Sequence, residues 1–469
     1  MARLSKIATP ALSFSRPFTS SYLRSWRYSN SHFKRCSPTS SHSESSSSLA
    51  ETRIKFNFID GVEPIEEYVP GGYHPVDIGD VLQDRYHIVN KLGFGGYSTV
   101  WLARDTRLER YVAVKVGIAR SESVTLQQEI KALRALSACA RLNPGYDSIP
   151  RVLDEFTLCG PNGVHEYYTM EPARCNLHDV AFSSLFPIEA TRALVGGLAL
   201  ALAFIHSQGY VHGDLHLQNI LVKLPSNFHQ LSIKQLYDKY GKPEAYTITQ
   251  YGGKPISSPH IPQKAVVPLC LGKSAYEFDL SDTRLMLSDF GEAFAPASDL
   301  RRGQECNTPL AFQAPEARFE PQAPLSYPSD IWSLATAIWE IIGMKAIFSN
   351  DWVTEDEMVC QHIDELGPMP QSWWERWEER GQFFDKNGRP IEGRYVWPSL
   401  DTAFEEWVQA YRRERKVGEF GREETAAILH LMRRMLAFRP EERPTIEQVL
   451  KSEWMVKWVL PDFERSLKA

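Results

Sequence analysis

Apolar and polar positions alternate over two short runs, Tyr86–Leu92 and Ser98–Ala103, and a third run, Tyr111–Val116, is almost wholly apolar. Period-two alternation between turn residues predicts three short antiparallel strands. Directly afterwards Leu126, Ile130, Leu133 and Leu136 fall on one helical face, which predicts a helix over Val124–Leu136. From about Leu177 onward helical spacing dominates. The pattern predicts an α+β, bilobal fold: a small β-rich lobe, then a larger helical one.

Two stretches break this pattern. Residues 1–52 have no Asp or Glu before Glu44, yet carry Arg3, Lys6, Arg16, Arg24, Arg27, Lys34 and Arg35, and serine dominates Ser37–Ser48. A segment that buries so little is expected to be disordered. The same basic, Ser-rich, acid-poor composition also suits an organelle transit peptide, so both readings stand. Order is expected from near Tyr68, with residues 53–85 as an extension ahead of a domain at 86–459, split into lobes 86–172 and 173–459. The second break, Leu221–Leu285, is rich in Pro, Ser, Lys and Tyr and only weakly periodic. It reads as a surface insertion (residues 223–284) with one helix around Ser232–Tyr240.

Composition narrows the function only a little. The 469 residues are 43% hydrophobic and 23% charged, enough for a large globular core. Lys and Arg total 52 against 58 Asp and Glu, a net charge of −6, which gives no reason to expect nucleic acid or a membrane surface as partner. Seven cysteines without a Cys-x-x-Cys pair indicate neither zinc nor a disulfide framework, and favour a reducing compartment. The longest apolar run, Ala193–Ile205, is too short to span a bilayer and reads as a buried core helix.

The chemistry lies in a series of short motifs. Leu92-Gly93-Phe94-Gly95-Gly96-Tyr97-Ser98-Thr99-Val100 is a glycine-rich turn between two strands, where backbone N–H groups can approach phosphate oxygens. Downstream, Lys115 stands in the apolar strand Val112-Ala113-Val114-Lys115-Val116, where burial demands an anionic partner. Glu129, on the following helix, is placed to hold that lysine against the α- and β-phosphates of a nucleotide. The cluster His212-Gly213-Asp214-Leu215-His216-Leu217-Gln218-Asn219 offers Asp214 as a base for an incoming hydroxyl and Asn219 as an oxygen ligand for Mg²⁺. Asp289-Phe290-Gly291 adds a second metal carboxylate. Ala314-Pro315-Glu316, Asp330-Ile331-Trp332-Ser333 and Arg443 complete the series, with Glu316 and Arg443 expected as a buried ion pair and Asp330 as a brace for the catalytic loop. Any one motif can occur by chance; their shared order does not.

From about Tyr68 to Val459 the chain resembles a eukaryotic protein kinase, and is most similar to the divergent fungal branch of the SR-protein kinases. Gly71–Asp80, Arg85–Val89 and Lys91–Leu102 carry that likeness, as do the insertion before Asp289 and the acidic segment Glu355–Gly367. The resemblance implies a serine/threonine kinase that uses ATP and Mg²⁺ and acts on protein substrates, Arg/Ser-rich proteins of mRNA processing among them. It implies an ATP site formed by Leu92, Gly93, Gly95, Gly96, Ser98, Val100, Ala113, Lys115, Glu129, Glu171 and Ala173, with His212 and Phe290 structural. It further implies a monomer in cytoplasm and nucleus, against the mitochondrial location that residues 1–52 suggest by composition. Glu357 and Asp364 match the family's docking carboxylates. Seven residues apart on a helix, both are expected to look out into one groove, with a solvated helix face as the plain alternative.

Four departures qualify the resemblance. Ser98 replaces the third loop glycine, as the family permits. Gly213 replaces the arginine that usually meets a phosphorylated activation loop, which implies activity independent of such phosphorylation. His216 stands where a phosphate-neutralising lysine is usual, so a mostly neutral side chain and a slower reaction are expected. Asn307–Gln313 lacks the family's arginines, and Thr308 lies one residue farther from Glu316 than the family pattern, leaving substrate choice open. Two alternatives remain at this level. His-Gly-Asp-Leu-His is also the catalytic loop of aminoglycoside- and choline-type small-molecule kinases, and a kinase fold can serve as a pseudokinase scaffold.

Overall fold

A computed structural model of the chain describes residues 56–119, 124–138, 144–181, 184–254, 256, 258–349 and 353–469. The basic segment 1–52 lies outside the described residues. The alternating runs pair as an antiparallel sheet: β1 (Val81–Leu82), β2 (Tyr86–Gly95), β3 (Ser98–Asp105), β4 (Arg110–Gly117), β5 (Asp154–Gly160) and β6 (Gly163–Met170), in the spatial order β1-β2-β3-β4-β6-β5. Register sets the site. Lys115 lies opposite Val100 on one side and Tyr168 on the other, and Ala113 lies opposite Met170. Helix α1 (Val124–Ser137) follows β4, and its Leu126, Leu133 and Leu136 are buried.

The chain leaves the sheet at Met170 and enters the large lobe through β7 (Ala173–Asn176), α2 (Leu177–Ala181) and α3 (Ile188–Ser207). Helix α3 exceeds the apolar run Ala193–Ile205 at both ends. It is long and apolar enough to cross a membrane, but it packs with α6 (Tyr327–Ile342) in the largest hydrophobic cluster. A second antiparallel sheet joins β7, β8 (Ile220–Lys223) and β11 (Leu285–Leu287). Pairing of Leu287 with Ile220 places Asp289 beside the loop that carries Asp214 and Asn219, and the Ser288 N–H donates to the Asn219 carbonyl at 2.8 Å.

Two boundary expectations change. Packed structure begins upstream of Tyr68: Phe56, Val62 and Ile65 are buried with it in one cluster. The insertion is not peripheral either. Its helix α4 (Ile233–Tyr240) starts at a capping box in which Ser232 accepts from the Gln235 N–H. Phe228, Leu236 and Leu271 are buried against Val89, Leu102 and Tyr111 of the small-lobe sheet. Its hairpin β9 (Ala245–Thr247) and β10 (Lys264–Val266) presents Ile248 and Ala265 to Phe56, Ile65 and Tyr68. Weak periodicity here reflects isolated apolar anchors rather than a continuous amphipathic face.

Candidate active site

The glycine turn connects β2 to β3. Gly93, Gly95 and Gly96 do not have positive φ, and a Cβ added at any of them meets nothing within 4 Å. Neither backbone conformation nor internal packing therefore requires glycine at these positions. Their open side suits the close approach of a phosphate group to backbone N–H. Below the turn, Leu92 and Val100 pack on the cluster that holds Ala113, and Ser98 is buried. Glu171 and Ala173 stand where β6 passes to β7, at the link between the lobes.

Lys115 is at the centre of the site. Its Nζ lies 2.7 Å from Glu129 Oε2 and 3.2 Å from Asp289 Oδ1. Glu129 also accepts from the Tyr168 hydroxyl at 2.9 Å and the Phe290 N–H at 3.3 Å. Burial disfavours charge on Lys115, but the Asp289 and Glu129 carboxylates outweigh it and raise its pKa well above the usual lysine value. Conversely, Lys115 lowers the pKa of Asp289. Asp289 adopts φ 59°, a left-handed conformation uncommon for a non-glycine residue and frequent where strain serves a site.

The loop after α3 is built on Asp330 of α6. Asp330 accepts from the His212 N–H at 2.7 Å and the Gly213 N–H at 3.0 Å, and lies 2.9 Å from His206 Nε2. Burial works against its charge, but His206 and these N–H groups keep its pKa below the usual carboxylate value. His206 carries no motif signal, and its role emerges only from this contact. The His212 ring packs at a tilt against Phe290, with ring centres 4.9 Å apart. Asn219 Nδ2 donates to the Asp214 carbonyl at 2.9 Å and to Asp214 Oδ2 at 3.0 Å, while Asp214 Oδ1 is buried without a hydrogen-bond partner. His216 Nε2 lies 3.4 Å from Asp214 Oδ2 and 3.1 Å from Asn219 Nδ2. Burial opposes its charging, yet the Asp214 carboxylate raises its pKa above the ordinary histidine value, so His216 is less neutral than expected.

Beyond Asp289 the chain is held by contacts that no motif announces. Glu292 pairs with Arg301 at 2.6 Å and accepts from Asn307 Nδ2 at 3.0 Å. The Thr308 hydroxyl donates to the Gly213 carbonyl at 2.6 Å. Glu316 begins α5 (Glu316–Phe319) and forms the expected buried pair with Arg443, through bonds of 2.8 and 2.7 Å.

The docking geometry is corrected. Helix α7 (Glu355–Leu366) does carry Glu357 and Asp364, but they do not share an open groove. Asp364 has a side chain only 3% exposed and is gripped by Arg394 through two 2.8 Å bonds, with the Trp397 N–H as a third donor. Glu357 closes the capping box with Thr354 at the start of α7. Helical spacing put both residues on one face but could not reveal that a distant loop covers half of it.

A lysine–glutamate pair beneath a glycine turn, facing an Asp/Asn loop and a third carboxylate, defines a nucleotide-dependent phosphotransferase. Residues 86–235 and 278–455 match the protein kinase domain family, and the chain belongs to it. The gap in that match falls inside the insertion. A serine/threonine protein kinase of Aspergillus fumigatus is 27% identical over 424 residues, 86% of this chain and 95% of that protein. The serine/threonine-protein kinase spk-1 of Caenorhabditis elegans is 37% identical over 167 residues, 34% of this chain and 17% of that one. SRSF protein kinase 3 of Homo sapiens is 35% identical over 165 residues, 34% of this chain and 29% of that protein. The chain is a serine/threonine protein kinase that resembles the SR-protein kinases, and the small-molecule-kinase and scaffold readings are not favoured.

Proposed function

We propose that this kinase transfers the γ-phosphoryl group of ATP to serine or threonine hydroxyls with Asp214 as base. The observation that carries the reading is the partnerless Asp214 Oδ1 beside the Lys115–Glu129–Asp289 cluster. Asp214 Oδ2 is occupied by Asn219, which orients the carboxylate and leaves Oδ1 to accept the hydroxyl proton. Lys115, fixed by Glu129, takes the α- and β-phosphates, and the N–H groups of the glycine turn cover them. Asn219 and Asp289 fit Mg²⁺, which takes one or two protein oxygens and completes its shell with phosphate and water. Held by these two residues, Mg²⁺ would supply positive charge to the transferring phosphate. Asp214→Asn is expected to abolish transfer and leave nucleotide affinity nearly intact, because it removes the base and spares the cradle. Near-normal turnover of that variant would overturn the assignment.

For substrate class the proposal is Arg/Ser-rich proteins, supported by likeness to a relative named as an SRSF protein kinase. Recruitment through Asp364 is not part of it, since Arg394 occupies that carboxylate. Phosphosite mapping on a peptide library is expected to return serine or threonine flanked by arginine. Transfer without any flanking preference would reduce the reading to a general serine/threonine kinase. Location is proposed as cytoplasm and nucleus, with mitochondria as the competing outcome; a reporter fused to residues 1–52 decides between them.

A further inference from the structure

Tyr73 lies in the extension ahead of the family match, is 3% exposed, and donates its hydroxyl to the Gly95 carbonyl at 2.7 Å. Gly95 belongs to the glycine turn, which has few side chains of its own to hold it. A glycine-rich turn is intrinsically mobile, so an external anchor matters more here than elsewhere on the sheet.

The anchor is itself rigidly set. Asn162 Nδ2 donates to the Tyr73 carbonyl at 2.7 Å, and the Ala119 N–H donates to the adjacent Gly72 carbonyl at 3.0 Å. The Tyr73 ring packs on Tyr68 with centres 5.5 Å apart. The Tyr68 hydroxyl bonds to Glu63, and Glu63 pairs with the buried Lys91, which lies 5.4 Å from the Phe94 ring and 5.1 Å from the Trp101 ring. The extension thus grips β2 at Lys91 and again, through Tyr73, at the turn.

Peptide geometry gives this contact its meaning. The Gly95 carbonyl and the Gly96 N–H belong to one planar trans unit and point in opposite directions. A hydroxyl that fixes the carbonyl toward the extension therefore aims the Gly96 N–H away from it. We propose that Tyr73 is a positioning residue of the nucleotide site: it orients the Gly95–Gly96 peptide so that its N–H meets a nucleotide phosphate. The inference rests on the reading of this turn as the ATP cradle.

The test uses the full chain as wild type, Tyr73→Phe and Tyr237→Phe. Phe keeps the ring packing and removes only the hydroxyl. Tyr237 is the matched control, since its hydroxyl donates to the Val89 carbonyl at 2.8 Å, on the same strand but away from the turn. Affinity for MgATP is measured by calorimetry, and KM and kcat by steady-state transfer to a serine peptide. Tyr73→Phe is expected to raise both Kd and KM for ATP roughly fivefold, the effect of one neutral hydrogen bond, with kcat nearly unchanged at saturation. Tyr237→Phe is expected to leave ATP affinity at the wild-type value. Wild-type affinity in Tyr73→Phe overturns the inference, and so does equal weakening by both variants, which would mean general loosening of the strand. Wild-type protein that does not bind MgATP overturns the cradle reading itself, and this inference with it.

Discussion

Gly213 and Glu292 are in such close register that a Cβ at position 213 would lie 2.6 Å from the Glu292 carbonyl oxygen. Gly213 also has φ +78°, a region that favours glycine. The arginine usual in other kinases has no room here. Glu292 meets Arg301 from within its own segment instead, so the anion and its guanidinium partner are both encoded. Glu292→Ala is expected to lower kcat/KM for a peptide several-fold, by roughly 1 kcal/mol for a charge-assisted contact of this exposure. Phosphatase treatment of the wild type should change nothing. Loss of activity on dephosphorylation would show that the pair does not replace a phosphate.

His216 is held beside Asp214 and stacks on Phe312 with ring centres 5.4 Å apart. Imidazole is shorter than a lysine side chain and shares its nitrogen with Asp214, so it is an imperfect source of charge for the transferring group. His216→Lys is expected to raise kcat severalfold with the KM for ATP unchanged, the pattern of an interaction made in the transition state. A lower rate would mean that the loop packs specifically around the imidazole. Steady-state kinetics with saturating peptide distinguishes the two.

Asp364 and Arg394 form a pair with side chains only 3% and 10% exposed. Arg394 also lies 4.6 Å from the centre of the Phe384 ring. Removing one member strands the other charge, so Asp364→Ala is expected to lose about 3–5 kcal/mol in chemical denaturation. Glu357→Ala removes only half of a capping box and should lose ~1 kcal/mol or less. Equal, small losses for both would mean that Arg394 leaves Asp364 readily in solution.

His362 is 4% exposed, between Trp332 and Phe348, with ring centres 5.1 and 4.4 Å away. Burial, with lesser repulsion from Arg318 and Arg443, lowers its pKa to about 3. The unfolded chain therefore takes up this proton first as pH falls. Stability from the neutral ring is complete above pH ~6.5 and is lost below it, at a slope approaching ~1.4 kcal/mol per pH unit. Urea unfolding of His362→Leu should be less pH-dependent than wild type between pH ~7 and ~5. Parallel pH profiles would mean that His362 takes up its proton at the same pH in the folded and unfolded chain.

The candidate site residues are legible because each belongs to a motif whose chemistry fixes its residue type: Lys115 needs an anion, and Asp214 needs a neighbour such as Asn219. The order of strands and helices was legible for a similar reason, since burial imposes a period. Long-range pairing by residues outside any motif leaves no such trace. Nothing in the spacing of Glu357 and Asp364 reveals Arg394, and no pattern links Tyr73 to Gly95. Phe56, Val62 and Ile65 are too sparse to signal a core until Ile248 and Ala265 arrive from the insertion to cover them.

The insertion has a mechanical consequence. After β8 the chain leaves the large lobe, anchors Phe228 and Leu236 on the small-lobe sheet, and returns through Leu271 to bury Ala275 and Phe278 in the large-lobe core. The two arms of the insertion thus join the lobes in addition to the segment at Glu171–Ala173. A clamshell with one strap swings freely; one with three straps resists both twist and gape. Any opening of this cleft must therefore disturb the packing of Phe228, Leu236 and Leu271 as well as the link at Glu171–Ala173.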